Sequence, residues 1–275
     1  MNVPAEIATP ASIAAVLESD LRSGVPQRRS IDSRALVTSP SFPTTLASFI
    51  TPTVVEGSSA HITKVSKTAQ PVSVVAAGAV KPVAVEISTE SVDLKKFAGR
   101  ATYHLETSRA NAGLEAALYS ALAGQALSAF ESACMTELTL GGTSVSYSAG
   151  KLLDGVFEGF ATVIAGGGRP SVIVVHPADL PTLASTFLSS DPGQGIAAGY
   201  FAGAAVHISP AQSAGSVTVL DPAGIALLWQ ADSPMVLVDP YSGSSTNDIS
   251  IVVDLIAAPR VTNGALVAVV ATGTK

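Results

Sequence analysis

Side chains that commonly do chemistry are few and scattered in this sequence. Cys134 is the only cysteine, which excludes an internal disulfide and a zinc knuckle. The four histidines lie far apart, without the short spacings of paired metal ligands, and each is expected to be a satisfied or exposed histidine: His61, His104, His176 and His207. The sequence therefore predicts no metal site.

Two short motifs are similar to parts of enzyme sites. Phosphate-binding loops follow a strand and open a helix, whereas Gly166-Gly-Gly168 follows a predicted helix and precedes a strand. His176-Pro-Ala-Asp179 ends a predicted strand, and we expect Asp179 to cap or charge the first turn of the next helix. No G-x-S-x-G turn and no recognisable Ser/His/Asp set occurs. We predict no catalytic residues, no cofactor and no enzyme activity.

Composition indicates a chain that buries apolar surface against other proteins. Of 275 residues, 47% are hydrophobic and only 13% are charged, and the mean hydropathy is +0.44. No apolar run reaches the roughly 18 residues that a membrane helix needs. Large exposed apolar patches usually mark interfaces, so we expect the excess to contact other copies of the chain. A net charge of −6 argues against a reader of nucleic-acid sequence, although not against a shell beside DNA.

The first 56 residues contain many prolines and little periodic pattern. Thr9-Pro10 followed by small and apolar residues predicts a short helix to about Ser23, with proline at its first position. An extended arm with several arginines follows, which is either a solvated linker or an arm that grips a neighbouring subunit. No charged start precedes an apolar core, so no signal peptide is expected, and the predicted compartment is the cytoplasm.

Residues 61–100 show the alternation of two β-strands around the small-residue stretch 70–82. A lone hairpin of this length is marginal in water and exposes edges that invite pairing, so we expect it to lie on another molecule.

Three helices and several short strands follow. Leucines, Phe130 and Cys134 form one apolar stripe over residues 107–138, which predicts a long helix ended by Gly141-Gly142. Further helices are predicted over 151–165 and 178–189. Strands are predicted over 171–176, 205–208, 217–220, 226–229, 235–238, 249–256 and 265–270. This order predicts an α+β fold.

Four stretches carry a resemblance to the major capsid proteins of tailed bacteriophages, which have the Hong Kong 97 type fold. Ala77-Gly-Ala-Val-Lys-Pro82 resembles one limb of the family's extended loop, and residues 90–109 are similar to the strand that feeds its spine helix. Residues 172–180 resemble the strand–proline–helix unit of its axial domain. Residues 249–270 are similar to its paired C-terminal strands. The likeness covers about residues 40–272.

This resemblance implies an organisation into arm, extended loop, peripheral domain and axial domain. The arm is expected over 1–56 and the extended loop with its flanking strands over 57–100. The peripheral domain with the spine helix is expected over 101–150, the axial domain over 151–224, and C-terminal strands of the peripheral domain over 225–275.

The resemblance also implies a function. The chain would assemble into the hexamers and pentamers of an icosahedral shell that encloses phage DNA. It would reside in the virion and assemble in the bacterial host cytoplasm, with no membrane partner. Portal, scaffolding and decoration proteins are further candidate partners, and packaged DNA would be touched without sequence preference. Because the spine helix begins near residue 110, a cleaved N-terminal scaffold is not expected.

Some members of the family join their subunits by an isopeptide bond between a lysine and an asparagine, with a buried carboxylate as base. Lys81 matches the lysine, and Asn247 and Asp254 lie near the other two positions, although the family's base is a glutamate. Asp254 lies in an apolar run, which permits burial, but strand alternation could equally turn it to solvent. We expect Lys81 to pair with a neighbour's carboxylate or stay hydrated, and the shell to be held non-covalently.

Three other readings remain open. An encapsulin, a cellular compartment with the same fold, would need a pocket for a cargo peptide, and residues 9–23 could form part of it. A small-molecule α/β enzyme could use the strand–helix unit at 171–189, but that leaves the hairpin and the apolar excess unexplained. Another virion protein, such as a tail or decoration subunit, is disfavoured by the long helix.

Overall fold

The structure is a computed structural model that describes residues 27–30, 44–66, 86–111, 113–148, 151–187, 200–243 and 246–272. The helix predicted at 9–23, the hairpin stretch at 70–82 and most of the arm lie outside these described residues. Within them the chain has the predicted mixture of helices and strands. The elements predicted over 151–165, 171–176, 205–208, 217–220 and 226–229 lie within one residue of the observed bounds. The helix predicted over 107–138 is instead divided in two, and the strands Gln27–Ser30, Thr53–Val55 and Thr143–Tyr147 were not predicted.

The described residues form four α-helices, over Leu105–Ala110 (α1), Leu114–Gly141 (α2), Leu152–Ala165 (α3) and Leu180–Phe187 (α4). The first seven strands of the described chain are Gln27–Ser30 (β1), Thr53–Val55 (β2), Ser59–Ser66 (β3), Glu86–Asp93 (β4), Lys95–His104 (β5), Thr143–Tyr147 (β6) and Val172–Val175 (β7). Seven more follow: Tyr200–Phe201 (β8), Ala204–Ile208 (β9), Ser216–Leu220 (β10), Ile225–Gln230 (β11), Met235–Gly243 (β12), Asp248–Val261 (β13) and Val267–Thr272 (β14).

The first sheet is built around β13. β12 and β11 pair with successive halves of one side of β13, and β5 pairs antiparallel with its other side. β1 borders β12, and β2 borders β11. Ile251, Val253 and Leu255 point from β13 into the core beneath α2, because alternate residues of a strand face opposite sides.

Helix α2 crosses this sheet over 28 residues, about 42 Å at 1.5 Å per residue. Leu127, Phe130 and Leu138 are wholly buried on the predicted stripe, whereas Leu118 is only half-buried. Gly142 forms its C-terminal cap as predicted, and a Cβ there would lie 2.7 Å from the carbonyl oxygen of Leu138. The backbone therefore requires glycine where the helix ends.

The second sheet has the order β6-β14-β10-β7-β9-β8 and lies between two layers. Along β14, Val267 and Val269 join the core under α2, whereas Ala268 and Val270 join a second core under α3. A strand buried on both faces reads as a continuous apolar run, which explains the apolar sequence of β14.

The expected pairing of the two C-terminal strands is wrong. β13 belongs to the first sheet, and β14 pairs with β10 and β6 in the second. The turn at Asn263, whose side chain accepts a hydrogen bond from the Ala265 N–H, redirects the chain between the sheets. β14 needs apolar layers on both faces, and only the second sheet has α2 on one side and α3 on the other.

The hairpin β3–β4 forms a separate two-stranded sheet, in register from Ser59 opposite Asp93 to Ser66 opposite Glu86. Its base packs on β11 through Ala60, Ile62 and Leu228. The hairpin is therefore attached to the body at one end.

Candidate functional site

An ionic junction ties the base of the hairpin to the body. Lys64 of β3 lies 2.5 Å from Glu90 of β4. The Arg260 guanidinium, from β13, bonds Glu90 on one side and Glu137 of α2 on the other, the latter at 2.9 Å. One arginine thus links the hairpin, the first sheet and the long helix.

The charges of this junction reinforce one another. Hydrogen bonds from Lys64 and Arg260 hold the pKa of Glu90 below its ordinary value of 4.5. The same carboxylate, together with Glu137, raises the pKa of Arg260. Both shifts favour the charged forms of Glu90 and Arg260, and the partly exposed junction is the kind that salt weakens.

A crevice of about 490 Å³ separates the hairpin base from α2 and β13. Glu90, Glu137 and Arg260 line it, and Leu140 stands at its wall with 79% of its surface exposed. Ion pairs thus hold the hairpin beside an open crevice, and the apolar Leu140 side chain at the crevice wall is largely exposed.

A second joint is buried where α2 meets the second sheet. Nε2 of His207, on β9, lies 2.7 Å from Oε1 of Glu131, on α2. The other oxygen of Glu131 accepts the Leu46 N–H at 2.8 Å, and the Phe49 ring lies over His207 with centroids 5.2 Å apart. The segment before β2 is therefore fixed to both the helix and the second sheet.

The sequence reasoning missed this joint, although one signal was present. Glu131 falls on the buried face of α2 between Phe130 and Cys134, and a buried carboxylate requires a partner. Nothing local identifies His207 as that partner, because it lies 76 residues away.

Helix α3 presents an apolar stripe to the outside. Phe157 and Ile164 are 50% and 59% exposed, and Phe160 and Ala161 complete an i, i+3, i+4, i+7 pattern on the same side. The ring centroids of Phe157 and Phe160 lie 5.7 and 6.0 Å, respectively, from the ring centroid of Phe201. An exposed apolar stripe of this kind, with Phe157 and Ile164 open to solvent, is typical of an interface.

The three residues considered for an isopeptide bond are not brought together in the described chain. Lys81 lies outside the described residues. Asn247 is exposed, adopts a φ of 56°, and donates from Nδ2 to Glu106 at 3.0 Å. Asp254 is buried and bonded to Lys96 at 2.6 Å. Asp254 lies seven positions after Asn247 along an extended strand, about 23 Å away, so within one chain the two residues cannot act on one bond.

The other residues singled out have structural partners. Cys134 is buried among apolar side chains, as expected, and burial raises the pKa of its thiol. His176 caps the 3-10 turn Pro177–Asp179 by accepting the Ala178 N–H, so Asp179 does not fill the cap position, whereas the alternative expectation, that it charges the first turn, is confirmed. Asp179 lies in that turn, and its carboxylate accepts the Gly215 N–H at 2.8 Å.

No group of three or more histidine, cysteine or acidic side chains there could hold a metal ion. No helix in the same part of the chain is long and apolar enough to cross a membrane.

No protein-family model and no curated protein matches the sequence. Solved structures match in fold. A structure from Mycobacterium phage Bobi matches with a TM-score of 0.64 at 13% identity, over 98% of this chain and 100% of that one. The capsid of a native GTA particle matches with a TM-score of 0.61 at 15% identity, over 86% and 94%. The virus-like particle from Pyrococcus furiosus matches with a TM-score of 0.62 at 14% identity, over 82% and 91%.

Proposed function

Because the chain has the Hong Kong 97 type fold of tailed-phage major capsid proteins, we propose that it is a major capsid protein. Copies of it assemble into the hexamers and pentamers of an icosahedral shell that encloses phage DNA. The observation that carries the proposal is the fold match to a phage structure over 98% of this chain and 100% of the other.

The surface of the described chain supports an assembling role. The hairpin is held at one end by the Lys64–Glu90–Arg260 junction, and α3 and Leu140 expose apolar side chains. Exposed apolar surface does not stabilise an isolated chain, whereas contact with a neighbouring copy would bury it. On this basis we propose that the hairpin overlaps neighbouring subunits. We propose the same role for the arm because the family resemblance implies it.

The division into domains follows the two sheets. We assign the peripheral domain to the first sheet with α2, and the axial domain to the second sheet with α3 and α4. In this assignment β6 and β14 belong to the axial sheet, although they lie in segments 101–150 and 225–275, which the resemblance implied to be peripheral.

The proposed role gives the partners and the location. The chain's own copies are the main partner, and packaged DNA is contacted without sequence preference, in line with a net charge of −6. Portal, scaffolding and decoration proteins are further proposed partners. The protein resides in the virion and assembles in the bacterial host cytoplasm.

An encapsulin shell is the second candidate, because the fold also matches the virus-like particle from Pyrococcus furiosus. The small-molecule enzyme has less support. In the strand–helix unit it would use, His176 and Asp179 are occupied by backbone hydrogen bonds to Ala178 and Gly215. We therefore propose no enzyme activity.

Electron microscopy of the purified protein tests the proposal. Closed shells of uniform size support a capsid or an encapsulin, and their contents distinguish the two. Nuclease-protected DNA inside shells isolated from infected cells supports the capsid, whereas a co-purifying enzyme inside them supports the encapsulin. A monodisperse monomer at all concentrations and salt conditions would overturn both.

A further inference from the structure

The buried joint at Glu131 connects three parts of the chain through one carboxylate. Oε1 of Glu131, on α2, bonds Nε2 of His207 on β9, and Oε2 accepts the Leu46 N–H ahead of β2. Both charged partners are almost fully buried, at 4% and 1% exposed. A carboxylate has no hydrogen to donate, so Nε2 of His207 is the donor. Each oxygen of Glu131 therefore holds a different element.

Stability alone does not explain a buried acid–histidine pair. Removing such groups from water costs free energy that their attraction only partly returns, and apolar side chains of similar volume are often equally stable or better. In some proteins buried polar groups instead select one arrangement of the elements around them. The pair lies where such a selection would act, between α2 and the second sheet.

The apolar contacts around the joint do not by themselves fix an orientation. The second sheet joins the core under α2 through five apolar side chains: Val172, Val174, Leu220, Val267 and Val269. Apolar burial is non-directional, so it tolerates small rotations of the sheet against the helix. The bonds of Glu131, at 2.7 and 2.8 Å, weaken steeply when their geometry is lost. The Phe49 ring, with its centroid 5.2 Å from that of His207, also limits movement of the imidazole.

We propose that the Glu131–His207 pair sets the angle between the second sheet and α2, and through that angle the curvature with which copies assemble. The first part concerns the single subunit, whereas the second rests on the proposed shell function. A shell closes at a size set by the angle between neighbouring subunits. A small rotation inside every copy therefore changes the diameter at which the shell closes.

The distance between two spin labels on the unassembled subunit tests the angle. Ser132→Cys on α2 and Glu158→Cys on α3 introduce exposed labelling sites on either side of the second sheet, whereas Cys134 is buried. With His207 intact, electron spin resonance should find one narrow distance distribution. His207→Leu removes the donor and should broaden that distribution or shift its maximum by about 2 Å or more, the scale of helix shifts at packed interfaces.

Glu131→Gln and Val174→Ala are the matched controls, and both should keep the narrow distribution. The glutamine carbonyl can accept the Leu46 N–H while its amide donates to Nε2 of the other His207 tautomer, so both bonds persist without the charge. Val174 is wholly buried and lies opposite His207 on β7, so its truncation lowers stability without removing a directional bond. An unchanged distribution in His207→Leu would overturn the inference, as would equal broadening in Val174→Ala.

Shell diameter tests the link to curvature. If His207→Leu proves insoluble, His207→Ser replaces it in both experiments, because the smaller side chain leaves room for water to hydrate Glu131. Electron microscopy of the His207 variant should find shells of altered or mixed diameter, whereas Glu131→Gln and Val174→Ala should give the wild-type diameter. A wild-type diameter despite a changed label distance would overturn the link to curvature and leave the proposed function intact. Absence of shells from the wild-type protein would overturn the proposed function and this link, while the label distances would still decide the angle.

Discussion

At the scale of single residues, four charged side chains attach the hairpin to the body of the subunit: Lys64, Glu90, Glu137 and Arg260. Arg260 contacts Glu90 and Glu137, so its removal breaks the ion pairs that link the hairpin to β13 and α2. Without Arg260, Lys64 would still form its ion pair with Glu90, but that pair joins β3 to β4 and does not link the hairpin to α2. Arginine suits this position because its guanidinium donates to two carboxylates in a fixed geometry.

Arg260→Met should loosen the hairpin base without unfolding the subunit. The residue retains a long apolar stem and loses both ion pairs, so amides of β3 and β4 should lose protection against hydrogen exchange while those of α2 keep theirs. Asp154→Asn, which breaks the exposed Lys151–Asp154 pair on α3, is the control and should change nothing. Equal protection of the hairpin in Arg260→Met and wild type would contradict the assigned role.

Acidification should have the same effect on the wild-type protein. The folded pKa of Glu90 lies below its ordinary value of 4.5, so the junction contributes fully above that pH and is lost as pH falls through the lowered folded value. Protection factors of β3 and β4 amides, corrected for intrinsic exchange, should fall in that acidic window. Glu90→Gln should remove this pH dependence, and its persistence would assign it to another group.

At the scale of elements, the sequence predicts local structure better than it predicts which distant residues and strands pair with one another. The stripe and the glycines of α2 are signals within one helix, so its phase and its end at Gly141 were predictable. The Glu131–His207 joint and the Glu90–Arg260 pair join residues 76 and 170 positions apart, and nothing near either residue identifies its partner. The apolar run of β14 indicates burial on both faces but not which sheet it enters, so its pairing was mispredicted.

The phase of α2 predicts two different outcomes for the same substitution. Leu127→Asp places an unpaired carboxylate at a wholly buried position, which should cost several kcal/mol and give insoluble or unfolded protein. At the half-buried Leu118 the carboxylate can turn to water, so Leu118→Asp should cost only about 1 kcal/mol. Urea unfolding of the unassembled subunits measures both. Equal costs would show that the helix is rotated from this phase.

The exposed stripe of α3 should matter for assembly and not for folding. Ile164→Lys adds a charge at a 59% exposed position, so the unfolding midpoint should change little while shell yield falls. Glu158→Gln changes the charge by the same amount on the same helix beside the stripe, and should leave yield unaltered. Light scattering compares the two, and wild-type yield from Ile164→Lys would exclude the stripe from subunit contacts.

At the scale of the whole molecule, the composition and the architecture agree. A chain with 47% hydrophobic and 13% charged residues fills two cores, one under α2 and one under α3, and still exposes large apolar side chains. The hairpin adds two strand edges, which are templates for pairing with another chain. A closed shell buries both kinds of surface.

Deleting residues 68–79 should give a chain that folds but does not close shells. These residues lie outside the described part of the chain, beyond the register of β3 and β4, so the two cores are expected to remain intact. Circular dichroism and the unfolding midpoint should match wild type, whereas light scattering should find no shells. An equal-length glycine–serine replacement separates lost length from lost contacts. Particles of wild-type size from the deletion would mean that the hairpin joins no subunits.

Shells of this protein should be held together without covalent bonds. Isopeptide formation requires a neutral lysine amine at the asparagine amide carbon and a nearby base to accept its proton. In the described chain the amide of Asn247 is engaged with Glu106, and the carboxylate of Asp254 already holds Lys96. Aspartate also reaches one methylene less far than the glutamate of family members that form the bond. Boiled shells on a denaturing gel should therefore give one band near 27.6 kDa. A ladder of dimers to hexamers that Lys81→Arg abolishes would instead make Lys81, Asn247 and Asp254 catalytic.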